Sequence, residues 1–122
     1  MDYLVRELSE NIIGKLQQNK VVIVLGARRV GKTVLVRNIL DKVEEPVLVL
    51  NGDDINVHDA LAKRTVENYK QLLGSYRLLY IDEAQKIPDI DSKLKLMIDE
   101  IEGLRIIISG SSAFDINRDA GE

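Results

Sequence analysis

A chain of 122 residues, 45% apolar and 30% charged, with 17 Lys and Arg against 20 Asp and Glu and a net charge of −3, can bury one core and is too short for two domains. The lack of Cys excludes disulfide frameworks, zinc–thiolate centres and cysteine nucleophiles, which makes a reducing, cytoplasmic setting the default expectation. No apolar run approaches the roughly 20 residues of a membrane span, Met1 to Glu7 lack the start of a secretory signal, and a pI near 5.2 argues against nucleic acid as the primary partner.

Leu4, Leu8, Ile12 and Leu16 recur at helical spacing between Asp2 and about Asn19, with Lys, Glu and Gln opposite, and predict an amphipathic opening helix. Val21 to Leu25 is a continuous β-branched run between Lys20 and Gly26, the pattern of a strand covered on both faces. Three more runs share that character: Val47 to Leu50 after Pro46, Leu78 to Ile81 after Arg77, and Arg105 to Ile108 after Gly103-Leu104. Helical patterns fall between them, over Lys32 to about Lys42, more weakly in a pair of segments across Val57 to Leu73, and over Ile90 to Glu102, where Leu94, Met97, Ile98 and Ile101 share a face. Strands alternating with helices predict a parallel sheet built from right-handed crossovers. No Pro-, Gly- or Ser-rich linker and no internal repeat divides the chain, so residues 1–122 form one expected unit.

Gly26-Ala27-Arg28-Arg29-Val30-Gly31-Lys32-Thr33 fits G-x-x-x-x-G-K-[ST] and lies between a strand pattern and a helix pattern, the setting that motif needs. Its glycines let the backbone curl so that successive N–H groups point at phosphate oxygens, and the helix that follows offers its positive end. The expected nucleotide contacts therefore run from Gly26 through Ala27, Arg28, Arg29, Val30, Gly31, Lys32 and Thr33 to Val34. Lys32 would reach the β- and γ-phosphates and the Thr33 hydroxyl would take one Mg²⁺ position. Arg28 and Arg29 either contact phosphate or a neighbouring subunit, or stand solvated at the loop crest.

Asp82 and Glu83 end the third strand pattern, at the edge where open parallel sheets bind ligands. Asp82 would hold the Mg²⁺ shell directly or through water, and Glu83 is placed to polarise an attacking water. Ser109 follows the fourth run and either senses the γ-phosphate, or orients the water, or simply forms a turn. Asn117 and Arg118 lie in the tail and either approach a nucleotide in trans or, the default reading for exposed polar residues, stand solvated. His58 has no partner at metal-ligand spacing and reads as a residue of a polar helix face. Lys86, Lys93 and Lys95 are interspersed with Asp89, Asp91, Asp99, Glu100 and Glu102, the mixed pattern of a solvated helix.

The segments 26–33, Tyr80-Ile-Asp-Glu-Ala-Gln-Lys-Ile-Pro88 and Ile108-Ser-Gly-Ser-Ser-Ala-Phe114 resemble the predicted prokaryotic AAA+ superfamily ATPases, and the resemblance spans nearly the whole chain. It implies an α/β P-loop NTPase of ASCE/AAA+ type, a three-layer α/β/α sandwich on a parallel sheet with strand order 5-1-4-3-2. It also implies Lys32 and Thr33 as Walker A residues, Asp82 and Glu83 as Walker B residues and Ser109 as the strand-four sensor; Gln85 and Ser111 match the family pattern without an implied role. Chains of that family continue into a fifth strand, a distal arginine and a poorly characterised C-terminal domain. Residues 1–122 are therefore expected to be an ATPase domain cut at its C-terminal end, lacking the fifth strand, with the C-terminal module of the parent protein as a partner. Val21 to Leu25 would then be a sheet edge, which predicts self-association or cover by another segment.

The expected function is binding of ATP or ADP with Mg²⁺ and hydrolysis of ATP, as a nucleotide switch for the attached module. The alternative is an interaction module that holds nucleotide without turnover. A small-molecule kinase would need an acceptor site and lid that the sequence does not offer, and the guanine signature Asn-Lys-x-Asp of GTPases is absent from the strand-four region.

Overall fold

The computed structural model of the chain describes residues 20–25 and 37–110. The expected opening helix, the Gly26–Val34 loop and the tail from Ser111, with Asn117 and Arg118, lie outside the described residues.

Strand β1 (Lys20–Leu25) is followed by helical residues 37–42 (α1), β2 (Leu48–Asn51), α2 (Ile55–Ala62), α3 (Val66–Leu73), β3 (Leu78–Asp82), a short 3-10 turn (Ala84–Lys86), α4 (Ile90–Glu100) and β4 (Arg105–Gly110). The strands form one parallel sheet in the order β1-β4-β3-β2. This is the 1-4-3-2 part of the order that the resemblance implies. The central strands β3 and β4 are buried almost throughout, which is why their sequences are continuous apolar runs and not alternating ones.

Alternation along those strands divides the core into two layers. Leu79, Ile81, Ile106 and Ile108 face α2, α3 and α4, where Leu61, Tyr69, Leu73, Leu94 and Met97 close over them. Leu78, Tyr80 and Ile107 face the other way and pack against Ile39 of α1. Helices therefore cover both faces of the sheet, the three-layer arrangement expected. A fully buried Leu or Ile stabilises the fold by about 1.5–3 kcal/mol in transfer free energy, so these two clusters carry the domain.

The weaker helical stretch resolves into two helices with separate starts. Asp54 caps α2 by accepting from Asn56 N at 2.9 Å, and Thr65 caps α3 through Oγ1 to Asn68 N at 3.1 Å. The Asn68 side chain then ties the two together, donating to the carbonyls of Ala60 (2.9 Å) and Lys63 (2.8 Å). Gly74 ends α3 at φ 56, a left-handed position that favours glycine.

His58 is half-buried on α2 and has a partner that the sequence did not indicate, with Nε2 at 2.6 Å from the Gly52 carbonyl, because α2 starts close behind the turn it follows. One sequence expectation is corrected here. Lys93 is not solvated: it is 7% exposed and its Nζ donates to the Pro88 carbonyl. Charge pattern alone missed it because a Lys stem buries readily when its tip finds an acceptor. Lys95 does stand in solvent, paired with Asp99 one turn on at 3.3 Å.

Candidate active site

The carboxyl ends of the strands form a row. Leu25, which precedes the phosphate-loop motif in sequence, pairs with Gly110, Val24 pairs with Ser109, and Asn51 pairs with Asp82. Asp82 on β3 and Ser109 on β4 thus stand at the same end of the sheet as Leu25, the last residue before that motif. Gly26, Ala27, Arg28, Arg29, Val30, Gly31, Lys32, Thr33 and Val34 themselves lie outside the described residues.

Asp82 is half-buried and is held from two sides. Its carbonyl accepts from Gly52 N at 2.7 Å, and its Oδ1 accepts from Ser109 Oγ at 2.8 Å. Ser109 is fully buried inside β4, which runs two residues beyond the predicted Ile108 end, so it is a strand residue and not a turn former. The Tyr80 hydroxyl lies 2.6 Å from Ser109 Oγ. A carboxylate only accepts, so the serine proton is committed to Asp82 and Tyr80 must donate to Ser109. The chain of donors runs Tyr80 to Ser109 to Asp82 in one direction. Burial pushes the Tyr80 hydroxyl well above the ordinary tyrosine range; the Ser109 hydrogen bond works the other way, and the charge of Asp82 and a side-chain hydrogen bond with it add to the rise. Tyr80 therefore remains a donor at neutral pH.

Glu83 adopts a left-handed conformation, φ 51 and ψ 46, at the start of the 3-10 turn. For a residue with a Cβ this costs about 1–2 kcal/mol, so the surroundings must enforce it. Gly52 lies against this turn. It is buried against the Glu83 backbone so closely that an added Cβ would stand 2.0 Å from the Glu83 carbonyl oxygen. His58 holds the Gly52 carbonyl from the other side, and Lys86 reaches back to Asp53 at 2.7 Å. The Glu83 Oε1 accepts from Gln85 Nε2 at 2.7 Å. Sequence reasoning left Gly52, His58 and Tyr80 without a place at this site. Only the adjacency of strands β2, β3 and β4 brings them there.

Among the described residues no three His, Cys, Asp or Glu side chains cluster as a metal site. A strand-end carboxylate steadied by a serine nevertheless suits Mg²⁺, which takes hard oxygen ligands and keeps much of its water shell. No helix among the described residues is long and apolar enough to cross a membrane.

Comparison with known proteins agrees with this architecture. The sequence model of the AAA domain family matches residues 18–122. Uncharacterized proteins of Mycobacterium bovis and Mycobacterium tuberculosis are each 31% identical over 112 residues, 91% of this chain and 24% of their own length. The chain thus spans about a quarter of the curated relatives it matches. A solved structure of two coordinating Pif1 helicases, concerned with DNA unwinding at forked duplex DNA, superposes with a TM-score of 0.58 at 19% identity, over 94% of this chain and 37% of that one. That likeness is one of fold. The parallel α/β sheet with helices on both faces and the family match over most of its length place the chain in the AAA domain family, as a nucleotide-binding domain of the P-loop ATPase type.

Proposed function

We propose that this domain binds ATP and ADP with Mg²⁺ and hydrolyses ATP, serving as a nucleotide switch for a module elsewhere in the full-length protein. The observation that carries the reading is the position of Asp82 and Glu83: Asp82 ends, and Glu83 directly follows, a buried parallel strand one strand away from β1, whose last residue precedes Gly26 in sequence. Ligands of open α/β sheets bind at that end.

In this reading the backbone of Gly26–Thr33 cradles the phosphates and Lys32 neutralises charge on the β- and γ-oxygens. Thr33 and Asp82 would hold Mg²⁺, which supplies charge neutralisation on the phosphates when bound. Ser109 fixes the Asp82 carboxylate and, through it, the metal side of the site. Glu83 takes a proton from the attacking water as its oxygen bonds to the γ-phosphorus. The bond to the β–γ bridging oxygen breaks, and ADP and phosphate leave. Self-association, or cover of the β1 edge by another segment, belongs to the same proposal, since among the described residues β1 pairs with β4 alone. A clean monomer by light scattering at high concentration would remove that part.

The test pairs two substitutions in the full-length protein. Lys32→Ala should abolish binding of a fluorescent ATP analogue. Glu83→Gln should retain binding and lower phosphate release by about 10²–10⁴-fold, the usual contribution of a positioned base. Binding without release in the unsubstituted protein would leave a nucleotide-holding interaction module instead.

A further inference from the structure

Gln85 lies in the 3-10 turn directly after Glu83-Ala84, and its Nε2 donates to Glu83 Oε1 at 2.7 Å. Because a carboxylate offers no donor, the amide must present its NH₂ there, and the direction of its other end is then fixed. That other end, Oε1, is buried and accepts no hydrogen bond among the described residues. Folded proteins seldom carry a buried acceptor left unpaired, and where they do the side chain is often held for a task.

The backbone around Glu83 is tightly set. Its carbonyl accepts from Lys86 N at 3.1 Å, Gly52 is packed against it, and its φ is positive. These contacts fix the peptide but leave the carboxylate on rotatable bonds, and the Gln85 amide is one of the groups that give it a direction. A base displaced by a fraction of an ångström loses much of its effect, so a donor that selects one rotamer acts on turnover and not on nucleotide affinity.

We propose that Gln85 is a positioning residue for ATP hydrolysis, orienting the Glu83 carboxylate toward the attacking water through its amide N–H. The inference rests on the reading of Glu83 as the water-activating base.

The experiment compares the full-length protein with Gln85→Met, Glu83→Gln and the double variant, following phosphate release and titration with a fluorescent ATP analogue. Met has the length of Gln and lacks the amide. Gln85→Met should leave analogue affinity and KM within about twofold and lower kcat by about 10-fold or more. In the Glu83→Gln background the same change should add no further loss, because it acts through the missing carboxylate. Gln85→Glu, equal in shape but without the donor, should show the same loss of kcat and guards against a packing defect specific to Met. Turnover lost in Glu83→Gln but retained in both Gln85 variants overturns the inference alone, as does an equal loss with and without the Glu83 carboxylate. Turnover unchanged in Glu83→Gln overturns the reading beneath it.

Discussion

Ser109 on β4 donates to Asp82 on β3 at 2.8 Å while accepting from the buried Tyr80 hydroxyl, so one side chain couples the strand-end carboxylate to the core. The direction of these bonds predicts an order of effects. Ser109→Ala strips Asp82 of a donor and takes from the Tyr80 hydroxyl the acceptor 2.6 Å away, a loss of about 1–3 kcal/mol. Tyr80→Phe leaves the Ser109–Asp82 bond intact and should cost about 0.5–1.5 kcal/mol. Urea denaturation measures both, and a Tyr80→Phe effect equal to or larger than that of Ser109→Ala would contradict the direction.

Gly52 predicts a second result. A methyl group there would meet the Glu83 carbonyl oxygen at 2.0 Å and its carbon at 2.7 Å, and backbone atoms cannot swing aside as a side-chain tip can. Gly52→Ala should destabilise the domain by about 1–3 kcal/mol and lower ATP turnover more than nucleotide binding. Parallel denaturation and phosphate-release curves test it. Stability and turnover both unchanged would show that the β2–α2 turn yields freely.

The contrast between Asp82 and Gly52 shows what the sequence could reveal. The four strands and the acidic pair were legible because doubly covered strands are continuous β-branched runs and because Asp82-Glu83 directly follows one. The split at Lys63–Thr65 was half legible, since a Thr cap signals a helix start only when its partner N–H is in reach. Gly52 and His58 were not legible. Their importance comes from β2 lying beside β3, a relation between residues about 30 positions apart for which composition and periodicity carry no signal. Lys93 misled because a mixed-charge face describes the average of its residues, and one long stem can turn inward without altering it.

Tyr69 gives the domain a dependence on alkaline pH. It is fully buried in α3 and donates to the Leu61 carbonyl at 3.0 Å; burial raises its pKa, with nearby Arg64 lowering it in part. A raised folded-state pKa means that the native chain keeps this proton where the unfolded chain has lost it. The stabilisation is therefore complete below the ordinary tyrosine value of 10.0 and is lost as pH rises past it. Each such group steepens the fall by up to about 1.4 kcal/mol per pH unit. Tyr80 contributes in the same direction. Urea midpoints between pH 8 and about 11 should fall less steeply for Tyr69→Phe than for the parent, and identical slopes would show that Tyr69 ionises as freely in the fold as outside it.

Lys93 separates packing from charge. It occupies the first turn of α4 at 7% exposure, with its amine on the Pro88 carbonyl. A cation gains nothing from the positive end of a helix, so the residue's worth lies in its buried stem and that single bond. Lys93→Ala removes both and should cost about 1–2 kcal/mol, whereas Lys93→Met keeps the stem and should cost less than about 1 kcal/mol, since the exposed Pro88 position lets water reach the carbonyl. Neither change should alter retention of the protein on duplex DNA across a salt series, because an amine committed to a backbone carbonyl is not available to phosphate. Thermal or urea unfolding ranks the two variants; Lys93→Met proving as costly as Lys93→Ala would mean that the hydrogen bond, and not the stem, anchors this end of α4.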